Sequence, residues 1–239
     1  MKQKANLLRP LLIILSAIAA FLSISACFTV GNTRLQPAAA QPAEKPLVVG
    51  HRGAAGLAPE NTLAAFKKAC EIGVDAVELD VLLTADSILV VHHGFTLNPA
   101  VARSANGNWV ENSGPAINRM SLETLKTYDV GRLNPNTSYA RRYPEQRPAD
   151  GERIPTLDEV VAQVKDACEP STGLWIEIKT DPEQPALTPA PETVADAVVR
   201  ILAEQGAAAR TRVLSFDWRA LDYVQKIAPD ILKAVVGMP

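Results

Sequence analysis

His51 and Arg52 stand where the apolar run Leu47-Val48-Val49-Gly50 stops, shortly before a proline and a helical pattern. Other apolar runs also carry their ionisable residues late: Glu78 and Asp80 in DAVELDV, His92 and His93 after ILVV, Glu177 and Lys179 in GLWIEIK, and Asp217 after RVLSF. Histidine moves protons near neutral pH because its unperturbed pKa is about 6.5. A Glu-x-Asp pair with a third carboxylate makes an oxygen-ligand set for Mg2+ or Ca2+, and arginine and lysine bind anionic oxygens. Strand alternation puts Glu78 and Asp80 on one face and Val77, Leu79 and Val81 on the other; it likewise sets Glu177 and Lys179 apart from Ile176 and Ile178. A charged face of this kind is either solvated, as on an edge or amphipathic strand, or buried and then paired or metal-bound.

The elements that must position these residues are short and β-branched. Six strands are expected, at 47–50, 75–81, 88–93, 173–179, 212–217 and 232–237. Helical patterns fall at 61–71, 156–168, 191–204 and 218–227, with Gly73 and Gly206 as stops after the first and third. Pro59 to Thr62 reads as the start and cap of the first helix, with Glu60 near the site, and IPTLDEV as the start of the second. Strand followed by helix, repeated, predicts a parallel sheet. In a β/α barrel the carboxyl ends of the strands build the site, which would gather His51, Arg52, Glu78, Asp80, His93, Glu177, Lys179 and Asp217. Thr84 to Ser87 is too short for a parallel crossover, which needs about a dozen residues, so a hairpin or an irregular barrel segment is expected there. Symmetric pairing about it would set His93 across from Glu78 and turn His92 to the other face.

A chain of 239 residues that is 47 % hydrophobic and 21 % charged suits one sizeable α/β domain rather than a disordered polymer. Its first 27 residues stand apart. Lys2, Lys4 and Arg9 precede an apolar stretch from Leu11 to Cys27, the pattern of an export signal. Ile24-Ser25-Ala26-Cys27 resembles the lipobox of bacterial lipoproteins, in which the cysteine becomes the lipidated first residue; the alternative is an uncleaved anchor, since about 20 apolar residues span a bilayer. Either way the expectation is an exported protein of the bacterial cell envelope, held at a membrane. Residues 28–46 are a Pro/Ala-rich linker, and the domain runs over 47–239. Losing Lys2, Lys4 and Arg9 from 24 basic residues against 26 acidic ones leaves a formal charge of −5, which argues against a nucleic-acid partner. Cys70 and Cys168 lack metal-ligand spacing and lie on separate predicted helices; although export permits a disulfide, two buried thiols are expected.

Together, His51-Arg52-Gly53 with Pro59-Glu60-Asn61-Thr62, Glu78-Leu79-Asp80-Val81, Val91-His92-His93, Ile154 to Glu159, Glu177-Ile178-Lys179 and Ser215-Phe216-Asp217-Trp218 resemble a glycerophosphodiester phosphodiesterase, in that family's order and spacing. The resemblance implies an irregular TIM-type β/α barrel that binds one divalent cation, Ca2+ or Mg2+, and hydrolyses glycerophosphodiesters to glycerol 3-phosphate and an alcohol. It implies Glu78, Asp80 and Glu177 as metal ligands, His51 and His93 as the acid/base pair, and Arg52 and Lys179 as phosphate contacts. Phe216 and Trp218 read either as lining of the pocket over the glycerol or as core or rim aromatics. Residues 94–153 resemble the insertion of the family's exported members, and Gly94 departs from the aspartate usual after the second histidine. Two other readings are a sphingomyelinase-type phospholipase D, which shares the two-histidine, three-carboxylate set, and a noncatalytic module for anionic polymers. With about six of the barrel's eight strands counted before Pro239, the sequence also reads as a C-terminally truncated member, expected to be poorly stable alone.

Overall fold

A computed structural model of the chain describes residues 45–237. The export signal, the lipobox with Cys27 and all but the last two residues of the linker lie outside the described residues. No helix among the described residues is long and apolar enough to cross a membrane.

The elements run β1 (Val49–Gly50), α1 (Leu63–Ile72), β2 (Ala76–Leu83), β3 (Leu89–Val91), α2 (Leu122–Leu125), α3 (Leu157–Ala167), β4 (Gly173–Ile178), α4 (Pro191–Glu204), β5 (Thr211–Ser215), α5 (Trp218–Ile227) and β6 (Leu232–Val235). The sheet has the order β1-β2-β4-β5-β6, all parallel, with β3 joined antiparallel to β2. It is a six-stranded, TIM-type β/α arrangement, and β1 and β6 are its two edges among the described residues. β2 is the organising strand. β4 pairs with it from Ala76 to Val81, while β1 occupies the first residues of its other edge and β3 the last.

Local chemistry sets the helix ends. Thr62 caps α1 by accepting from Ala65 N at 3.2 Å, and Gly73, at φ 72°, closes it in the left-handed conformation that glycine adopts without steric cost. Thr156 and Glu159 form a reciprocal capping box on α3. In α4, Val194, Ala195, Val198, Ile201 and Leu202 recur at helical spacing and are all buried. These helices cover one face of the sheet, joining Val77, Leu79, Val81, Ile176, Ile178 and Val213 in one apolar core. The apolar sides of β2 and β4 thus face the helices, as alternation predicts, and Glu78, Asp80 and Glu177 are left to the opposite face.

The insertion after β3 has its own small core, in which Leu97, Ile117, Leu125 and Ile154 pack against Leu82 and Val90. Arg103 ties it together, donating from Nη2 to Asp129 at 2.7 Å and Asp150 at 2.6 Å while its guanidinium lies 5.4 Å from the centre of the Trp109 ring.

The expectation of two free thiols is overturned: Cys70 and Cys168 form a disulfide, with Cα atoms 4.6 Å apart. The helices are separate in sequence but adjacent in space, so Cys70 in the last turn of α1 meets Cys168 at the carboxyl end of α3. A bond across a sequence separation of 98 residues removes much freedom from the unfolded chain, which by the chain-entropy model amounts to about 4–5 kcal/mol. Urea unfolding with and without reductant is therefore expected to show a clear drop in midpoint on reduction, and equal midpoints would assign the stability of this helix pair to packing alone.

Candidate active site

β1 ends at Gly50 and the chain turns back at once. Gly53 N donates to both Gly50 O and Glu78 O at 3.1 Å. A Cβ on Gly50 would stand 2.3 Å from Gly53 O, and one on Gly53, itself at φ 83°, would stand 2.7 Å from the backbone of Ala65. Only glycine fits either place. Between them Arg52 adopts φ 51°, and Asn61 adopts φ 54°, conformations that side-chain-bearing residues keep where surrounding bonds over-determine them. Those bonds are present. Arg52 N donates to Glu78 Oε2 at 2.8 Å, Asn61 N to Arg52 O at 3.0 Å, and Asn61 Nδ2 to Asp80 Oδ2 at 2.9 Å.

The carboxylates come from neighbouring strands. Asp80 pairs with Glu177 in the β2–β4 register, and oxygens of Glu78, Asp80 and Glu177 all lie within 4.8 Å of one another. Glu78 and Asp80 are buried. Burial, with the Asp80 charge adding to it, pushes the Glu78 carboxyl up to about 8, and burial also raises Glu177, against the pull of Lys179. Lys179 Nζ lies 2.8 Å from Glu177 Oε1 and 3.6 Å from Asp80 Oδ1. Arg52 Nε faces Asp80 Oδ2 at 3.5 Å yet is buried without a hydrogen bond. Three crowded carboxyls, two of them with pKa values raised by burial, suit a multivalent cation. Two oxygens on one Ca2+, at roughly 2.3–2.6 Å each, can stand at most about 5 Å apart, so the donor set fits such an ion.

His51 and His93 line one cavity of about 430 Å3 with Arg52, Glu78, Glu177 and Trp175. His51 Nε2 stands 4.0 Å from Glu78 Oε2. Burial, helped by the Arg52 charge, lowers the His51 pKa; burial likewise brings His93 down to about 4, against the opposing pull of Asp80. Both rings are therefore neutral at neutral pH in the ligand-free chain. His92 is buried and turned away, with Nε2 3.4 Å from Thr96 O. The expected pairing of His93 with Glu78 is off by one: Val81 pairs Val91 and Leu83 pairs Leu89, and continuing this register sets His92 opposite Asp80, whose carbonyl accepts from His92 N at 3.0 Å. The ladder stops at Val91, so the bend that follows, rather than cross-strand pairing, brings His93 to the carboxylates.

Lys179, Phe216 and Trp218 line an adjoining cavity of about 570 Å3. Lys179 Nζ lies 5.7 Å from the centre of the Phe216 ring, while Phe216 and Trp218 are both exposed, at 47 % and 59 %. Asp217, gathered with the site by its place late in β5, lines this cavity too, while it caps α5 and pairs with Arg219 at 2.7 Å and Thr180 at 2.9 Å. Sequence reasoning missed Asn61, Trp175 and Tyr139. Asn61 was absorbed into a helix-start motif, and Trp175 shares the face of Glu177 by alternation, a usable signal. Tyr139, in a long insertion without periodicity, had none.

The fold is a TIM-type β/α arrangement, and the chain belongs to the glycerophosphoryl diester phosphodiesterase family, whose model matches residues 51–237. A glycerophosphodiester phosphodiesterase of Caldanaerobacter subterraneus subsp. tengcongensis is 34 % identical over 187 residues, covering 78 % of this chain and 65 % of the relative. A crystal structure from Silicibacter pomeroyi DSS-3 is 33 % identical with a TM-score of 0.76, over 82 % of this chain and 67 % of that one. An Oleispira antarctica phosphodiesterase, solved in complex with the product sn-glycerol-3-phosphate, is 28 % identical with a TM-score of 0.59, over 80 % of this chain and 65 % of that one. The chain thus spans about two thirds of the length of these relatives.

Proposed function

We propose that this chain hydrolyses glycerophosphodiesters to glycerol 3-phosphate and an alcohol, with Glu78, Asp80 and Glu177 holding one divalent cation, Ca2+ or Mg2+. The observation that carries this is the meeting of three carboxylates within 4.8 Å of one another with two imidazoles on the wall of one cavity that Glu78 and Glu177 also line. A bound cation would supply positive charge to the nonbridging oxygens of the phosphodiester. Arg52 and Lys179 bind the same anionic group from the protein side and offset the charge that grows there as the attacking oxygen approaches. One imidazole takes the proton of the attacking oxygen while the other gives a proton to the departing alkoxide. The acid must be protonated beforehand, which burial opposes in the free chain and the negative charge of a bound diester favours.

The test is a competition of substrates. Purified chain, supplied with Ca2+ or Mg2+, is expected to hydrolyse a panel of soluble glycerophosphodiesters faster than sphingomyelin or lysophosphatidylcholine. A preference for the intact lipids would replace this reading with the phospholipase D type, and binding without turnover would replace it with a noncatalytic module.

The reading extends to location. Cys27 is the lipidated first residue of an exported, membrane-tethered protein, a reading supported by the charged and apolar segments before it. The Cys70–Cys168 disulfide supports it independently, since such bonds persist mainly in oxidising compartments. Substituting Cys27→Ser is expected to release the protein from the membrane fraction; a variant still cleaved at the same bond and still sedimenting with membranes would contradict lipidation.

A further inference from the structure

Among the described residues of the insertion, Tyr139 is the one whose side chain reaches Arg52. Tyr139, just before the 3-10 turn Ala140–Arg142, donates its hydroxyl to Glu60 Oε2 and accepts from Arg52 Nη1 at 3.0 Å. The same Nη1 donates to Glu60 Oε1 at 2.9 Å. Arg52, Glu60 and Tyr139 thus close a ring of three hydrogen bonds across 87 residues of sequence, and its inner members are shielded, with 12 % of the Arg52 and 6 % of the Glu60 side chain exposed. The phenol stays protonated, because burial and the Glu60 charge both raise its pKa, so it serves as donor to the acid and acceptor from the base at once. Phenylalanine fills the same space and can do neither.

The ring of Tyr139 is itself held. Tyr143 packs edge-on at 5.3 Å and 70°, and the Arg142 guanidinium lies 5.7 Å from its centre. On the other side Arg52 is fixed at its backbone by Glu78 and Asn61; along its side chain Nε faces Asp80 Oδ2 at 3.5 Å without a hydrogen bond, and Nη1 is the atom that is hydrogen-bonded. Glu60 alone would draw the guanidinium toward itself. With Tyr139 bonded to the second carboxylate oxygen, Glu60 is oriented and shares its charge, and Nη1 is held between two acceptors.

We propose that Tyr139 is a positioning residue: acting through Glu60, it fixes the Arg52 guanidinium for the phosphodiester, and the insertion thereby sets the affinity of the site for its anionic ligand. This rests on the phosphodiesterase reading above. A hydrogen bond to a charged group is among the stronger ones, but Arg52 keeps Glu60, so only part of its loss reaches the ligand and a loss of about tenfold is expected.

The test uses Tyr139→Phe in the whole chain with Ca2+ present. Binding of sn-glycerol 3-phosphate and the KM for glycerophosphodiesters are expected to weaken about tenfold, with kcat within about threefold of the parent. Ca2+ affinity and the thermal midpoint are expected to stay unchanged. Glu60→Gln should give a similar loss, and the double variant no more than the larger single one, because the two act as one unit. Unchanged binding and KM in Tyr139→Phe, fully additive losses, or a loss that tracks a fallen thermal midpoint would each overturn the proposal. A parent chain that binds no glycerol 3-phosphate and hydrolyses no diester would instead overturn the phosphodiesterase reading and this inference with it.

Discussion

Substituting Glu78→Gln or Glu177→Gln is expected to lower kcat/KM for glycerophosphodiesters by about a thousandfold or more, the scale of a lost electrostatic stabiliser at a reacting phosphate. Each change removes one of only three carboxylates in the cluster. For Glu78 the same substitution should have the opposite sign on stability without metal. Its folded-state pKa of about 8 lies above the ordinary 4.5. A carboxyl raised in this way costs nothing below the unfolded pKa, and destabilises the folded chain progressively as pH rises from about 4.5 through about 8. In chelator, the parent is therefore expected to lose thermal stability over that window, and Glu78→Gln to lose less. Added Ca2+ should reverse the ranking, because the cation must displace the proton; its affinity accordingly rises with pH up to about 8. Melting curves at several pH values, with and without Ca2+, read all of these signs, and a Glu78→Gln protein of full activity would remove the cluster from the reaction.

His51→Ala and His93→Ala are expected to be the next most damaging changes, each lowering turnover by about 100- to 10,000-fold, the range for loss of a general acid or base. Both side chains line the cavity that Glu78 and Glu177 also line. His92→Ala should behave differently. His92 is 5 % exposed, faces away from the cavity and approaches Thr96 O, so its loss leaves a small void and costs stability more than chemistry. Kinetics and thermal midpoints of the three variants separate the cases: catalysis lost at an unchanged midpoint for His51 and His93, a lowered midpoint with substantial turnover for His92. An inactive His92→Ala beside an active His93→Ala would exchange their roles.

Much of this site was legible because parallel strands end in the same place. Alternation grouped Glu78 with Asp80 and Glu177 with Lys179, and the parallel pairing of β2 with β4 joins the two charged faces, since Val77, Leu79, Ile176 and Ile178 are claimed by the helices. The shortness of Thr84 to Ser87 ruled against a parallel crossover and left a hairpin or an irregular segment, of which the antiparallel β3 is the hairpin. What failed was geometry beyond the ladder: the position of His93 is set by a bend, and a symmetric pairing argument misses by one residue. The Cys70–Cys168 bond escaped because it joins two helices whose adjacency only the assembled sheet decides. Tyr139 escaped for a related reason. It lies 87 residues from Arg52 in sequence, in a segment whose own core forms no repeating pattern.

Product release under metal control is the measurement that bears most directly on this chemistry. The purified chain is incubated with glycerophosphocholine and Ca2+, then with excess chelator, then with Ca2+ restored, and the products are identified at each stage. Glycerol 3-phosphate and choline should appear, cease on chelation and resume on restoration. Release that continues undiminished in chelator, cleavage to glycerol and phosphocholine, or no release at any metal concentration would contradict a cation-bearing Glu78, Asp80 and Glu177 site serving His51 and His93.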